Sequence, residues 1–131
     1  MTDRELIDRA RRARKYAHAP YSKLSVGAAL LTKNGKVVTG SNVENSSYGL
    51  SCCAERVALF KAVSEGETEF VKIAIVGPDD IPFFPCGACR QVLFEFAPDI
   101  TVIILDKQDI NRYSLRELLP HGFGLQEKRT K

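Results

Sequence analysis

The 131-residue sequence contains no apolar run approaching the ~20 residues that a membrane-spanning helix requires, so none is expected. Its opening stretch, MTDRELIDRARRARKY, lacks the apolar centre of a secretory signal, which predicts a cytoplasmic protein. Charge of one sign is scarce as well: 19 Lys and Arg against 16 Asp and Glu leave a net +3. That excess is too slight to imply a nucleic-acid partner. No stripe of interleaved basic and aromatic residues offers a track for a single strand either. The early basic cluster (Arg4, Arg9, Arg11, Arg12, Arg14, Lys15) reads as the solvated face of an amphipathic helix, because Leu6, Ala10, Ala13 and Ala17 recur on the opposite side. Repeats, linkers and low-complexity segments are missing, so residues 1–131 are read as a single domain. With 44% hydrophobic and 27% charged residues, the chain has the composition of an ordinary globular protein that can bury a core without staples.

The chain alternates between helical and extended patterns. Residues 3–17 read as a helix ended at Ala19-Pro20. Val26 to Thr32 and Lys36 to Asn42 read as a hairpin turning at Asn34-Gly35. The loop NVENSSYGLS follows, polar as functional loops often are. A helix then runs from near Cys53 to Gly66, and Val71 to Val76 reads as a strand buried on both faces. A further helix runs from near Cys86 to Pro98, and Ile100 to Leu105 is a second buried strand with a short antiparallel partner at Ile110 to Tyr113. Ser114-Leu115-Arg116-Glu117 has the form of a capping box, and EKRTK reads as a frayed end. The sum is an α/β domain with one mixed sheet covered by helices on both faces.

Four cysteines in a chain without signs of export point to metal or catalysis rather than disulfides. Cys86 and Cys89 form a C-x-x-C at a helix start, and Cys53 opens the other internal helix. Free N–H groups and the positive helix end favour thiolate over thiol at both places. Three thiolates leave a fourth zinc position for water, as in catalytic sites. The alternative is a closed structural zinc site of all four cysteines. It fits less well, because the adjacent Cys52 and Cys53 send their side chains in different directions. His18 and His121 lie in no ligand-like motif. Glu55 sits in an otherwise apolar helix, where a carboxylate is costly without a purpose; taken alone it reads as a first-turn glutamate complementing the helix dipole, and beside a three-thiolate zinc it becomes the general acid and base. Three thiolates on Zn²⁺ carry a formal charge of −1, and a guanidinium from Arg56 donating to one of them would restore Lewis acidity; the alternative for Arg56 is a surface salt bridge.

Cys53-Ala54-Glu55 followed by Pro85-Cys86-Gly87-Ala88-Cys89 matches the signature of zinc nucleobase deaminases in its three-cysteine variant. With PYSKLSVGAALLT, NVENSSYG, CAERVALFKAVSEG, FPCGACRQVL and LRELLPHGFG, the chain resembles the small homotetrameric cytidine deaminases over nearly its whole length. The resemblance implies a three-layer sandwich with one mixed five-stranded sheet between helices, one Zn²⁺ per subunit and a homotetramer. It implies hydrolytic deamination of free cytidine or deoxycytidine in pyrimidine salvage, with water activated by zinc attacking C4 and Glu55 shuttling protons. Asn42 and Glu44 resemble the pair that binds the ribose hydroxyls, and Ala54 the residue whose backbone meets the pyrimidine edge. Phe123 resembles an aromatic inserted into a neighbouring subunit's site, and Tyr48 a residue of the subunit contact. The sequence departs from the family at three positions. Leu24 stands where a Phe is usual beside the base, Phe84 replaces the common Ser before Pro-Cys, and Cys52 is an extra thiol read as a small buried hydrophobe. Two rival readings are a deaminase of a cytosine-bearing antibiotic of the blasticidin S type, and a structural zinc module that binds a partner protein.

Overall fold

The computed structural model describes residues 1–125, so the frayed EKRTK end expected from the sequence lies outside the described residues. Five strands form one mixed sheet in the order β2-β1-β3-β4-β5. They are β1 (Gly27–Thr32), β2 (Val37–Ser41), β3 (Phe70–Val76), β4 (Thr101–Asp106) and β5 (Asp109–Ser114). β3 and β4 run parallel, and every other neighbouring pair is antiparallel. The helices are α1 (Asp3–Ala13), α2 (Ala54–Ser64), α3 (Gly87–Phe96) and the one-turn α4 (Leu115–Leu118).

Period-two alternation in the central strands sorts their side chains into two cores. Ala28, Leu30, Ile73, Ile75, Val102 and Ile104 meet Ala58, Leu59 and Ala62 of α2 and Leu93 and Phe94 of α3. The intervening Ala29, Ala74, Val76, Ile103 and Leu105 meet Leu6, Ile7 and Ala10 of α1. Leu6 and Ile7 are buried almost completely, each contributing about 1.5–3 kcal/mol. The result is the expected three-layer sandwich. Among the described residues, no helix is long and apolar enough to cross a membrane.

Three features differ from the sequence reading. First, α1 stops at Ala13 and passes through a 3-10 turn at Arg14–Tyr16 instead of continuing to residue 17. The His18 N–H bonds the Asn42 carbonyl at 2.9 Å, and this pairing draws the chain out of the helix. Second, the basic face of α1 is less solvated than expected. Arg11 and Arg14 both pair with Asp80, and Arg14 also donates to the Gly77 carbonyl at 2.6 Å, tying the helix to the exit of β3. Third, β3 is buried only from Ile73 to Val76; Val71 is exposed. The capping box at Ser114 is present, with Ser114 Oγ accepting from the Glu117 N–H and Glu117 Oε1 from the Ser114 N–H. Gly35 takes φ +89° in the hairpin turn, a conformation that suits a residue without Cβ.

One glycine fixes where the site-bearing helix sits. A Cβ on Gly40 of β2 would lie 2.6 Å from both the Ala54 carbonyl oxygen and the Ala58 nitrogen, so α2 rests directly on the strand backbone. The Gly40→Ala variant is expected to lose about 1–3 kcal/mol in denaturant unfolding, because the backbone of α2 must shift to admit the methyl.

Candidate active site

α2 and α3 lie on the same sheet face, and their N-termini meet. Each is preceded by a cysteine in extended conformation at the N-cap, Cys53 (φ −71°, ψ 155°) and Cys86 (φ −68°, ψ 170°). Neither thiol caps its own helix, so both point beyond the first turn, toward each other. Cys53 Sγ is 3.7 Å from Cys86 Sγ, and Cys86 Sγ is 3.5 Å from Cys89 Sγ. All three sulfurs lie within 4.8 Å of one another. Sulfurs at about 2.3 Å on a tetrahedral zinc stand about 3.8 Å apart, so this triangle fits the ion. Among the described residues the group has no fourth member: Cys52 is not part of it, and neither histidine joins it. A fourth, non-protein position therefore suits the donor set.

The electrostatics of the cluster follow from its contacts. The Cys53 thiol is pushed down to about 5, chiefly by the hydrogen bond it accepts from Cys89 and then by Arg56. Cys89, which donates that bond and is fully buried, is pushed up. Arg56 Nη2 lies 3.6 Å from Cys53 Sγ, and this contact raises the guanidinium further. Its Nε is buried with no hydrogen-bond partner among the described residues. Glu55, in the first turn of α2, is 2% exposed. Burial raises its carboxyl to about 7, with the charge at Cys53 pushing the same way. A carboxyl so raised can hold and release a proton near neutrality.

Cys53 and Cys86 of the cluster line a cavity of ≈ 360 Å³, within the usual range for small-molecule sites. Leu24, Asn42, Glu44, Cys53, Ala54, Glu55 and Cys86 all line it. At its other end Asn42 Oδ1 accepts from the Val26 N–H at 2.9 Å, and Nδ2 donates to the Leu24 carbonyl at 2.8 Å. Glu44 accepts from the Tyr21 and Ser22 N–H groups, each at 3.1 Å, and from the Ser22 hydroxyl. That hydroxyl contact, first among several, holds the Glu44 carboxyl below its ordinary value. Both polar residues thus staple the 21–26 segment as a cavity wall. An amide carries two N–H groups and two lone pairs, and a carboxylate about four acceptor sites, so each keeps capacity for a ligand.

Two of the expected residues stand apart. Phe123 is 55% exposed and lies outside this cavity, its carbonyl accepting from Gln91 Nε2. Tyr48 is 72% exposed, with its ring 5.7 Å from that of Tyr21. Cys52 needs correction: it is half-buried and lines the cavity, because its backbone is held in a two-bond bridge to Val43. Ser22 and Phe83 are cavity residues that the sequence reading did not single out. Ser22 was visible only as a neighbour of Leu24, and Phe83 only as one of two adjacent aromatics. Phe84 forms part of the rim, its ring packed edge-on against Tyr113 at 5.2 Å.

Comparison with known proteins agrees with this geometry. The family model for the cytidine and deoxycytidylate deaminase zinc-binding region matches residues 1–105. A cytidine deaminase of Halalkalibacterium halodurans is 50% identical over 124 residues, spanning 93% of this chain and 94% of that one. The crystal structure of a cytidine deaminase from Burkholderia pseudomallei superposes with a TM-score of 0.89 at 50% identity, covering 94% of this chain and all of the other. A blasticidin-S deaminase of Bacillus cereus is a more distant relative, 32% identical over 107 residues and 76% of each chain. The three-sulfur cluster, the buried glutamate and these likenesses agree: the chain belongs to the zinc-dependent cytidine deaminase family.

Proposed function

We propose that residues 1–131 form one catalytic domain that hydrolyses free cytidine or deoxycytidine to the uracil nucleoside and ammonia, with Cys53, Cys86 and Cys89 holding one Zn²⁺. The observation that carries this reading is the buried carboxyl of Glu55 beside an incomplete sulfur triangle, at the base of a nucleoside-sized cavity. Zinc, when bound, supplies Lewis acidity that brings the pKa of water toward neutrality. Glu55 takes a proton from the attacking water and delivers it to N3 of the pyrimidine. It then carries the second proton to the amine at C4, which leaves as ammonia. Arg56 donates to the Cys53 sulfur and offsets the negative charge of three thiolates.

Asn42 and Glu44 bind the ribose hydroxyls with the donor and acceptor capacity left over from stapling residues 21–26. The Ala54 backbone meets the pyrimidine edge, and Leu24 supplies an apolar wall where an aromatic ring would stack. Exposed Val43, Tyr48, Leu50, Phe60 and Phe123 support a homotetramer in which Tyr48 lies in a subunit contact and Phe123 completes a neighbour's site. The reaction suits pyrimidine salvage in the cytoplasm, with a free nucleoside as substrate and neither nucleic acid nor membrane as partner.

Asn42→Ala is expected to raise KM for cytidine at least ~10-fold through one lost charge-free hydrogen bond and a loosened wall, while zinc content stays at one per chain. Steady-state kinetics with elemental analysis check both. Ammonia release from cytidine, deoxycytidine, cytosine and blasticidin S tests the function itself. Turnover of the two nucleosides alone, abolished by a chelator, is the expected result; turnover of blasticidin S alone, or none, overturns it.

A further inference from the structure

The three sulfurs are not equally supported by the fold. Cys89 lies inside α3 and is fully buried. Cys53 follows Cys52, whose N–H and carbonyl both pair with Val43, at 2.8 and 2.9 Å. Cys86 is exposed and ends an irregular stretch, residues 81–86, that belongs to no helix or strand. The residue before it is a buried proline, which has no N–H to donate, so its carbonyl is the backbone handle by which that residue can be tied. Arg90 Nε donates to this Pro85 carbonyl at 2.7 Å. The same guanidinium donates through Nη1 to the Leu118 carbonyl of α4, also at 2.7 Å.

We propose that Arg90 is a positioning residue for the metal centre, its guanidinium stapling the Pro85-Cys86 backbone to the end of α4 so that the Cys86 sulfur is held where the other two can share an ion. The proposal rests on the reading of the cluster as a zinc site. Its logic differs from that of Arg56. Arg56 contacts sulfur and acts by charge, whereas the two Arg90 bonds shown here go to carbonyls, so Arg90 acts through geometry. The fork is what allows the bridge: a guanidinium presents separate N–H donors in fixed directions, and an ammonium is a single point. Docking of α4 and the following segment on α3 reinforces the staple. A Cβ on Gly122 would lie 3.1 Å from the Phe94 ring, and Gln91 Nε2 donates to the Phe123 carbonyl at 3.1 Å. Gln91 therefore ties the same segment to the same helix without touching Pro85.

This gives a discriminating experiment on the full zinc-loaded chain. Zinc affinity is measured by competition with a chromogenic chelator for the unsubstituted protein, R90A, R90K and Q91A, with circular dichroism verifying the fold. R90A is expected to bind zinc about 10–100-fold more weakly, the usual cost of removing a residue that orients a ligand. R90K is expected to fall between R90A and the unsubstituted protein, because the Lys ammonium donates from one nitrogen and cannot reproduce the two separated donors of the guanidinium. Q91A is expected to keep unsubstituted affinity. A folded R90A with unchanged affinity overturns the proposal, as does a loss in Q91A equal to that in R90A. Should R90A not fold, an R90K with unchanged affinity overturns it instead. If the zinc-loaded unsubstituted protein released no ammonia from cytidine, the deaminase reading would fail while this ordering of zinc affinities stood.

Discussion

Glu55→Gln is expected to retain one zinc per chain and a near-normal KM while kcat falls about 10⁴-fold. The size follows from the double duty of the carboxyl. General acid–base catalysis by one placed group is worth about 10²–10⁴, and the proposed mechanism gives Glu55 both protons that the reaction moves, so the upper end is expected. Glutamine keeps the shape and fills the same buried space but transfers no proton. The fold does not suffer from the change. Burial raises the Glu55 carboxyl to about 7 from an ordinary 4.5, so in the metal-free chain its contribution to stability is fully present below pH 4.5 and is lost as pH rises through 7. Metal-free E55Q lacks that dependence. It should therefore gain stability relative to the unsubstituted chain between pH 5 and 8, a crossover that thermal unfolding across pH reads directly. A variant with normal kcat, or one without zinc, contradicts the assignment.

Cys89→Ser is expected to lose zinc and turnover together, with the apo fold preserved. Cys89 is the fully buried member of the cluster, in contact with the other two sulfurs, and a serine hydroxyl is a poor substitute for a thiolate at zinc. The two apolar cores are formed without the metal, since their members come from the sheet and the helix faces. The metal adds stability by linkage, about 4 kcal/mol at a free concentration of 1,000 Kd, which corresponds to a Tm rise on the order of 10 °C for a domain of this size. Added zinc should raise the Tm of the chelator-treated unsubstituted protein by that amount and leave C89S unmoved. Equal zinc content in both proteins would show that the ligand set is wrong.

The readings that held are those whose physics is local. C-A-E and P-C-x-x-C put cysteines at helix starts because a cysteine at the first residue before a helix is placed by that helix alone, and the structure has Cys53 and Cys86 at both N-caps. The alternation through Ala28-Ala29-Leu30 and Ile73-Ala74-Ile75-Val76 is a property of the strands themselves and shows which residues divide between two helix layers. What escaped the sequence depends on distant partners. Asn42 and Glu44 spend part of their hydrogen bonding on Leu24, Val26, Tyr21 and Ser22, and no spacing rule connects residues that far apart in the chain. The early end of α1 has the same origin, since the pairing of His18 with Asn42 competes with one more helical turn. A small thiol such as Cys52 is expected in the core because small thiols are usually buried; its backbone is instead bridged to Val43, and it lines the cavity. Arg90 gave no signal at all, because its two acceptors lie in Pro85 and Leu118, and carbonyls are the same in every residue.

X-ray absorption at the zinc edge of the purified protein tests the centre of this account. An open site predicts three sulfur scatterers at about 2.3 Å and one light atom at about 2.0 Å for each chain. Four sulfurs around the ion, with Cys52 as the fourth, would leave no place for the attacking water and would contradict it.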